Sequence, residues 1–180
     1  LLYLLKQVLA PKMIYLILIL SKFSSSEDHK YNKETFTYKV IDGEELKLDK
    51  IIDLSVKNKR KKPIFMYIHG GEFTTGSRIN VLQQRYCKHY ASQGYTSFLL
   101  DYRLSLKCET AEEIVNCVKI SVEDLIDATN YILNKATEWN LDVNKFIITG
   151  GSAGAIICLT TEYEIVNDYP YTKKLSSNFN

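Results

Sequence analysis

Ser152 stands two residues after Gly150 and two before Gly154, a G-x-S-x-G spacing. A serine hydroxyl acts as a nucleophile when a tight turn holds it out. On such a turn the residues two before and two after must be nearly free of side chain, or strand and helix cannot pass. The flanks fit strand, turn and helix: Ile147, Ile148 and Thr149 are β-branched, and Ala155, Ile156, Ile157 and Cys158 resume an apolar run. Ser152 Oγ would stand at the strand's end, with the backbone N–H of Ala153 at the helix N-terminus aimed where an oxyanion forms. Other glycine-rich turns need different residues. No Lys-Ser or Lys-Thr follows, as a phosphate loop requires, and Ser152 occupies the place of the second glycine of G-x-G-x-x-G. Taken alone, the motif leaves an esterase-type elbow and a structural turn both open.

The elements that must position this serine are legible from Thr35 onward. Residues 35–40 alternate, Asp42-Gly43 is a hairpin turn signal, and residues 45–54 alternate again around Leu46, Leu48 and Ile52. An antiparallel hairpin is expected there. A continuous apolar strand, residues 64–68, runs into His69-Gly70-Gly71-Glu72, and a helical stretch over 81–93 stops at Gly94. A second apolar strand spans 96–100. Thr110 and Glu113 then form a capping box, and Ile114, Val118, Val122, Leu125, Ala128 and Ile132 recur at helical steps, which predicts one buried face. Asp142-Val143-Asn144 turns the chain into the strand before Ser152. Strands alternating with helices predict an α/β fold, a mostly parallel sheet with helices on both faces.

Composition narrows the function classes. The 180 residues are 46% hydrophobic and 24% charged, a globular balance with enough chain for one sizeable core. A net charge of +2 selects no partner, and the 13 tyrosines are scattered, so nucleic acid is not expected. Residues 57–62 carry Lys57, Lys59, Arg60, Lys61 and Lys62, but the run is short, lacks aromatic interleaving and enters a strand through Pro63. It reads as a solvated loop. Cys87, Cys108, Cys117 and Cys158 lack C-x-x-C spacing, so no metal is expected, and no cofactor motif occurs. Cys108 with Cys117 is the pair to test for a disulfide, while Cys158 on the elbow helix behaves as a small buried hydrophobe.

Two segments divide the chain: 1–34, an apolar stretch followed by a polar linker over 24–33, and 35–180, the globular part. Residues 1–20 are interrupted by Lys6, Pro11 and Lys12, so they do not offer the uninterrupted apolar run of about 18 residues that a spanning helix needs. If translation starts at Met13, residues 13–20 are a short signal h-region and the protein is secreted or periplasmic. Otherwise the segment is an N-terminal helix and the protein is cytoplasmic.

His69-Gly70-Gly71, Asp101-Tyr102-Arg103-Leu104, Asp124 with Ala128, Asp142 with Lys145, and Gly150 to Gly154 fall in an order and spacing that resembles α/β-hydrolase esterases with an HGG oxyanion loop. The likeness covers roughly residues 35–180. It is nearest the bacterial feruloyl and acetyl-xylan esterase-like branch and close to the hormone-sensitive-lipase-like carboxylesterases. The resemblance implies Ser152 as nucleophile, the amides of Gly70, Gly71 and Ala153 as oxyanion hole, and His69 as support for the loop. It also implies an acyl-enzyme mechanism on a small or polysaccharide-linked ester. Glu72, where a small residue is usual, would oppose an oxyanion if it pointed inward. Ala155 replaces a common glycine, and Gly151 stands where many lipases carry an acid.

An absence qualifies the likeness. In this fold the acid and histidine follow the serine, yet His29, His69 and His89 all precede it. Glu162, Glu164 and Asp168 lie too close to the elbow helix to be the family's acid. The chain is therefore expected to be the first part of a hydrolase domain, truncated after the nucleophile helix, inactive alone and prone to aggregate through an unpaired sheet edge. A non-catalytic hydrolase-fold binding module is the competing account. Oligomeric state and the identity of the ester stay open.

Overall fold

The computed structural model describes residues 30–57, 59–105 and 107–167. The apolar segment 1–20 and His29 lie outside them. The elements run β1 (Tyr31–Ile41), β2 (Glu44–Asp53), β3 (Lys62–Ile68), α1 (Val81–Ser92), β4 (Thr96–Leu100), α2 (Ala111–Asn134), β5 (Leu141–Gly150) and α3 (Ala153–Val166). The five strands form one sheet in the order β1-β2-β4-β3-β5.

The hairpin forms because Asp42 and Gly43 both take left-handed φ, 51° and 82°, as a two-residue turn of matching twist requires. The first strand starts at Tyr31, inside the stretch expected to be linker. Tyr31 pairs with Asp53 across the hairpin, and Lys30 and Lys33 reach Asp53 and Asp49, so polar residues are drawn into the sheet by cross-strand partners. The sheet is mixed rather than uniformly parallel along its length. β1–β2 and β2–β4 are antiparallel because the hairpin docks on β4, and β4–β3 and β3–β5 are parallel through helical crossovers.

Alternation along the strands feeds both faces. Ile64, Met66 and Ile68 of β3 and Phe98 and Leu100 of β4 pack with Val122, Leu125, Ala128 and Ile132 of α2 and with Ala153 and Ile157 of α3. Phe65 and Leu99 point the other way, against Cys87 and Ala91 of α1. Ile114, expected on the buried face of α2, is exposed in the helix's first turn. The capping box at Thr110 and Glu113 is formed. Residues 142–144, expected as a turn, belong to β5, which enters the sheet through a register irregularity opposite Pro63.

The consequence for function lies in the register. Leu100, Ile68 and Gly150 are level, so β4, β3 and β5 deliver their following loops to one edge of the sheet.

Candidate active site

Three loops meet where those strands end. Gly150 passes into Gly151 and Ser152, and α3 begins at Ala153. Ser152 has φ 51° and ψ −119°, a conformation L-residues avoid, and its side chain is exposed and makes no cap hydrogen bond. The flanking glycines explain how the turn closes. A Cβ on Gly154 would lie 2.2 Å from the Ile68 carbonyl oxygen, and one on Gly150 would lie 2.6 Å from the Gly154 carbonyl carbon. Strand, turn and helix touch backbone to backbone.

The second loop, residues 69–76, lies against this turn. A Cβ on Gly70 would sit 2.7 Å from the Gly151 carbonyl oxygen and 3.2 Å from Ser152 Cβ, so the glycine-rich loop runs beside the serine. Among the described residues the amides of Gly70, Gly71 and Ala153 donate no hydrogen bond, the last because it opens a helix. Unpaired amides on two adjoining backbones beside an exposed hydroxyl are what stabilisation of an oxyanion requires.

The loop is strained. Gly71, Glu72, Phe73 and Gly76 all have positive φ. Glu72, of concern if it turned inward, has an exposed side chain. Phe73 is buried in the main core and anchors the loop from within. His69 is 1% exposed. Its Nδ1 lies 2.8 Å from the Gly70 carbonyl, which can only accept, so Nδ1 carries the proton and the buried Nε2 carries the lone pair, with no partner among the described residues. Burial holds its pKa below the ordinary value, outweighing the Gly70 carbonyl and Asp101, which act the other way. The ring is thus neutral and bonded within its own loop, and among the described residues no hydrogen bond joins it to Ser152.

The third loop follows β4. The Tyr102 ring stacks on His69 at 4.3 Å, its hydroxyl donates to the His69 carbonyl oxygen at 3.0 Å, and burial raises the phenol to about 12, keeping that proton in place. Ser105 N donates to the Phe73 carbonyl at 2.8 Å. Arg78 ties the far end of the glycine loop to β2 and β4. Its Nε donates to Asp49 at 3.0 Å, its backbone N to Asp101 at 2.8 Å, and its guanidinium pairs with Asp101. Tyr102, Ser105, Arg78 and Asp49 had no role assigned from sequence. Of these, Tyr102 is marked in the sequence by its place in the Asp101-Tyr102-Arg103-Leu104 run that follows β4.

Ser152, Ala153, Gly70, Gly71 and His69 come together. His89 lies on α1. Among the described residues no histidine bonds Ser152, no group of three His, Cys, Asp or Glu is placed to hold a metal, and no helix is long and apolar enough to cross a membrane.

The model of the BD-FAE family matches residues 51–172. The chain belongs to the BD-FAE family. This is an esterase-like α/β-hydrolase family, and the fold is accordingly an α/β-hydrolase fold. The native esterase 2 of Thermogutta terrifontis is 25% identical with a TM-score of 0.59, over 71% of this chain and 43% of that one. Its butyrate-bound form gives 25% and 0.58 over the same shares. Among curated proteins, the non-reducing polyketide synthase atr1 of Stereocaulon alpinum is 27% identical over 154 residues, 81% of this chain. The chain spans 6% of that synthase and less than half of the esterase.

Proposed function

We propose that these residues form the nucleophile and oxyanion half of a serine carboxylester hydrolase. The observation that carries this is the contact of Gly70 with Ser152, which sets the unpaired amides of Gly70, Gly71 and Ala153 beside an exposed, strained serine. A structural turn needs neither the exposed hydroxyl nor the free donors. In the reaction, Ser152 Oγ attacks the ester carbonyl while its proton passes to a histidine, oriented by an acid, both supplied from outside the described residues. The tetrahedral oxygen is held by the three amides, the alcohol leaves with the proton, and water then cleaves the acyl-serine. Losing one such donor costs roughly 3 kcal/mol of transition-state stabilisation.

The acyl group is small, in keeping with the butyrate held by the Thermogutta esterase, and the alcohol is a small molecule or a polysaccharide hydroxyl. A disulfide between Cys108 and Cys117 suits an oxidising compartment and so favours secretion. The competing account, a non-catalytic module, draws on the lack of a base against Ser152 among the described residues. The two are separated by treating the full-length protein with a fluorophosphonate and locating the adduct. Labelling at Ser152, abolished in Ser152→Ala, is expected; a folded protein that takes no label would end the esterase assignment.

A further inference from the structure

The glycine loop of residues 69–76 carries four left-handed residues, so its shape is imposed from outside. The outside supports converge on one short piece of chain. Tyr102 stacks on His69 and donates to its carbonyl, and Ser105 N donates to the Phe73 carbonyl at 2.8 Å. Between them Arg103 is fixed to α2, its backbone N and Nε both bonded to Asp124. Among the described residues Ser105 has no such direct anchor to α2. Its hydroxyl donates to the Lys107 carbonyl at 2.9 Å and accepts from Lys107 N at 3.2 Å, and the next residue, Cys108, is bonded covalently to Cys117 on α2. Cys117 is buried against the same core that holds Phe73.

We infer that the Cys108–Cys117 disulfide is a positioning element for the oxyanion loop, acting through Ser105 and Phe73, so that activity depends on its oxidation. This rests on Ser152 being an oxyanion-stabilised nucleophile. The disulfide closes a short loop at the start of α2, where the helix's capping box already holds Glu109 and Thr110 through Glu113. Helix formation therefore does not need the bond, whereas the placement of Ser105 does. Reduction by an added dithiol is a two-electron exchange: Cys108 and Cys117 each take up a proton as thiols, and the reagent closes to its own disulfide. With the bond open, Arg103 keeps Tyr102 in place while Ser105 is released, and the Phe73 end of the loop loses its outer support.

The test uses the full-length protein and a short-chain p-nitrophenyl ester, comparing the oxidised wild type, the Cys108→Ser/Cys117→Ser variant and Ser105→Pro, which removes the donor to Phe73 with the disulfide intact. The expected result is a kcat lower by about tenfold in both variants with KM unchanged, as a displaced donor would cause. Combining the variants is expected to add little, because they act on one path. Equal kcat in folded variants overturns the inference while leaving the esterase assignment standing. Absence of turnover and of fluorophosphonate labelling in the oxidised wild type overturns both. Should the double variant fail to fold, Ser105→Pro decides alone: an unchanged kcat refutes the path, and a lowered kcat at constant KM supports it.

Discussion

The ring of His69 carries its own pH signature. Buried and bonded as a neutral ring through Nδ1, it resists protonation in the folded state, so its folded pKa lies below the ordinary 6.5. Above about 6.5 both states leave the ring neutral and its contribution is fully present. As pH falls below that value the unfolded chain takes up a proton that the folded one refuses, so stability declines through the window down to the folded pKa. The expected outcome is a melting temperature that drops between pH 7 and pH 5.5, and a shallower drop in His69→Asn. An equal slope in both proteins would show that the ring is not the titrating group.

At the scale of elements, Asp124 is the joint. Fully buried on α2, it receives Arg103 from the loop after β4 and Lys39 from β1, so three elements meet on one carboxylate. Its neighbours Glu123 and Asp127 hold the outer ends of the same two cations. Removing Asp124 takes away the one fully buried counter-charge and leaves Arg103 and Lys39 only the partly exposed Glu123 and Asp127, a loss that approaches the roughly 3 to 5 kcal/mol of a broken buried pair. Asp124→Ala is expected to lower the midpoint of urea unfolding accordingly; a change below about 1 kcal/mol would mean that the network is dispensable. Joints of this kind explain what sequence patterns could and could not reveal. The strands, the capped helix and the Gly150–Gly154 turn each rest on residues within one or two turns of one another, and their periodicity exposes them. Arg78 with Asp49 and Asp101, or Lys50 lying 4.7 Å over the Trp139 ring, link residues tens of positions apart, and nothing in their local context marks the partner. The same holds for the hairpin, visible as a hairpin from Asp42-Gly43 but not as a strand pair inserted beside β4. Tyr31 reads as linker in the sequence because its partner, Asp53, lies beyond the turn.

For the molecule as a whole, α3 presents an apolar stripe. Ile156, Leu159, Tyr163 and Val166 recur at steps of three and four, and Leu159 and Val166 are 67% and 77% exposed. Beside it β5 pairs with β3 on one edge and with no other described strand. Contiguous apolar surface next to an open strand edge drives association. A protein of residues 1–180 is therefore expected to sediment as concentration-dependent oligomers, and Leu159→Lys with Val166→Lys to shift it toward monomer. A monodisperse monomer of the unaltered chain at high concentration would refute this.

The level register of Ile68 with Gly150 also sets an order in time. The two halves of the site sit at the ends of neighbouring strands, yet α1, β4 and α2 all lie between them in the chain. Closing so long a loop is slow, and the pairing of β5 with β3 gains nothing until the intervening layers can pack. Before that moment Ser152 has no Gly70 beside it. Under the esterase reading proposed above, the oxyanion donors therefore reach Ser152 only when β5 has paired with β3.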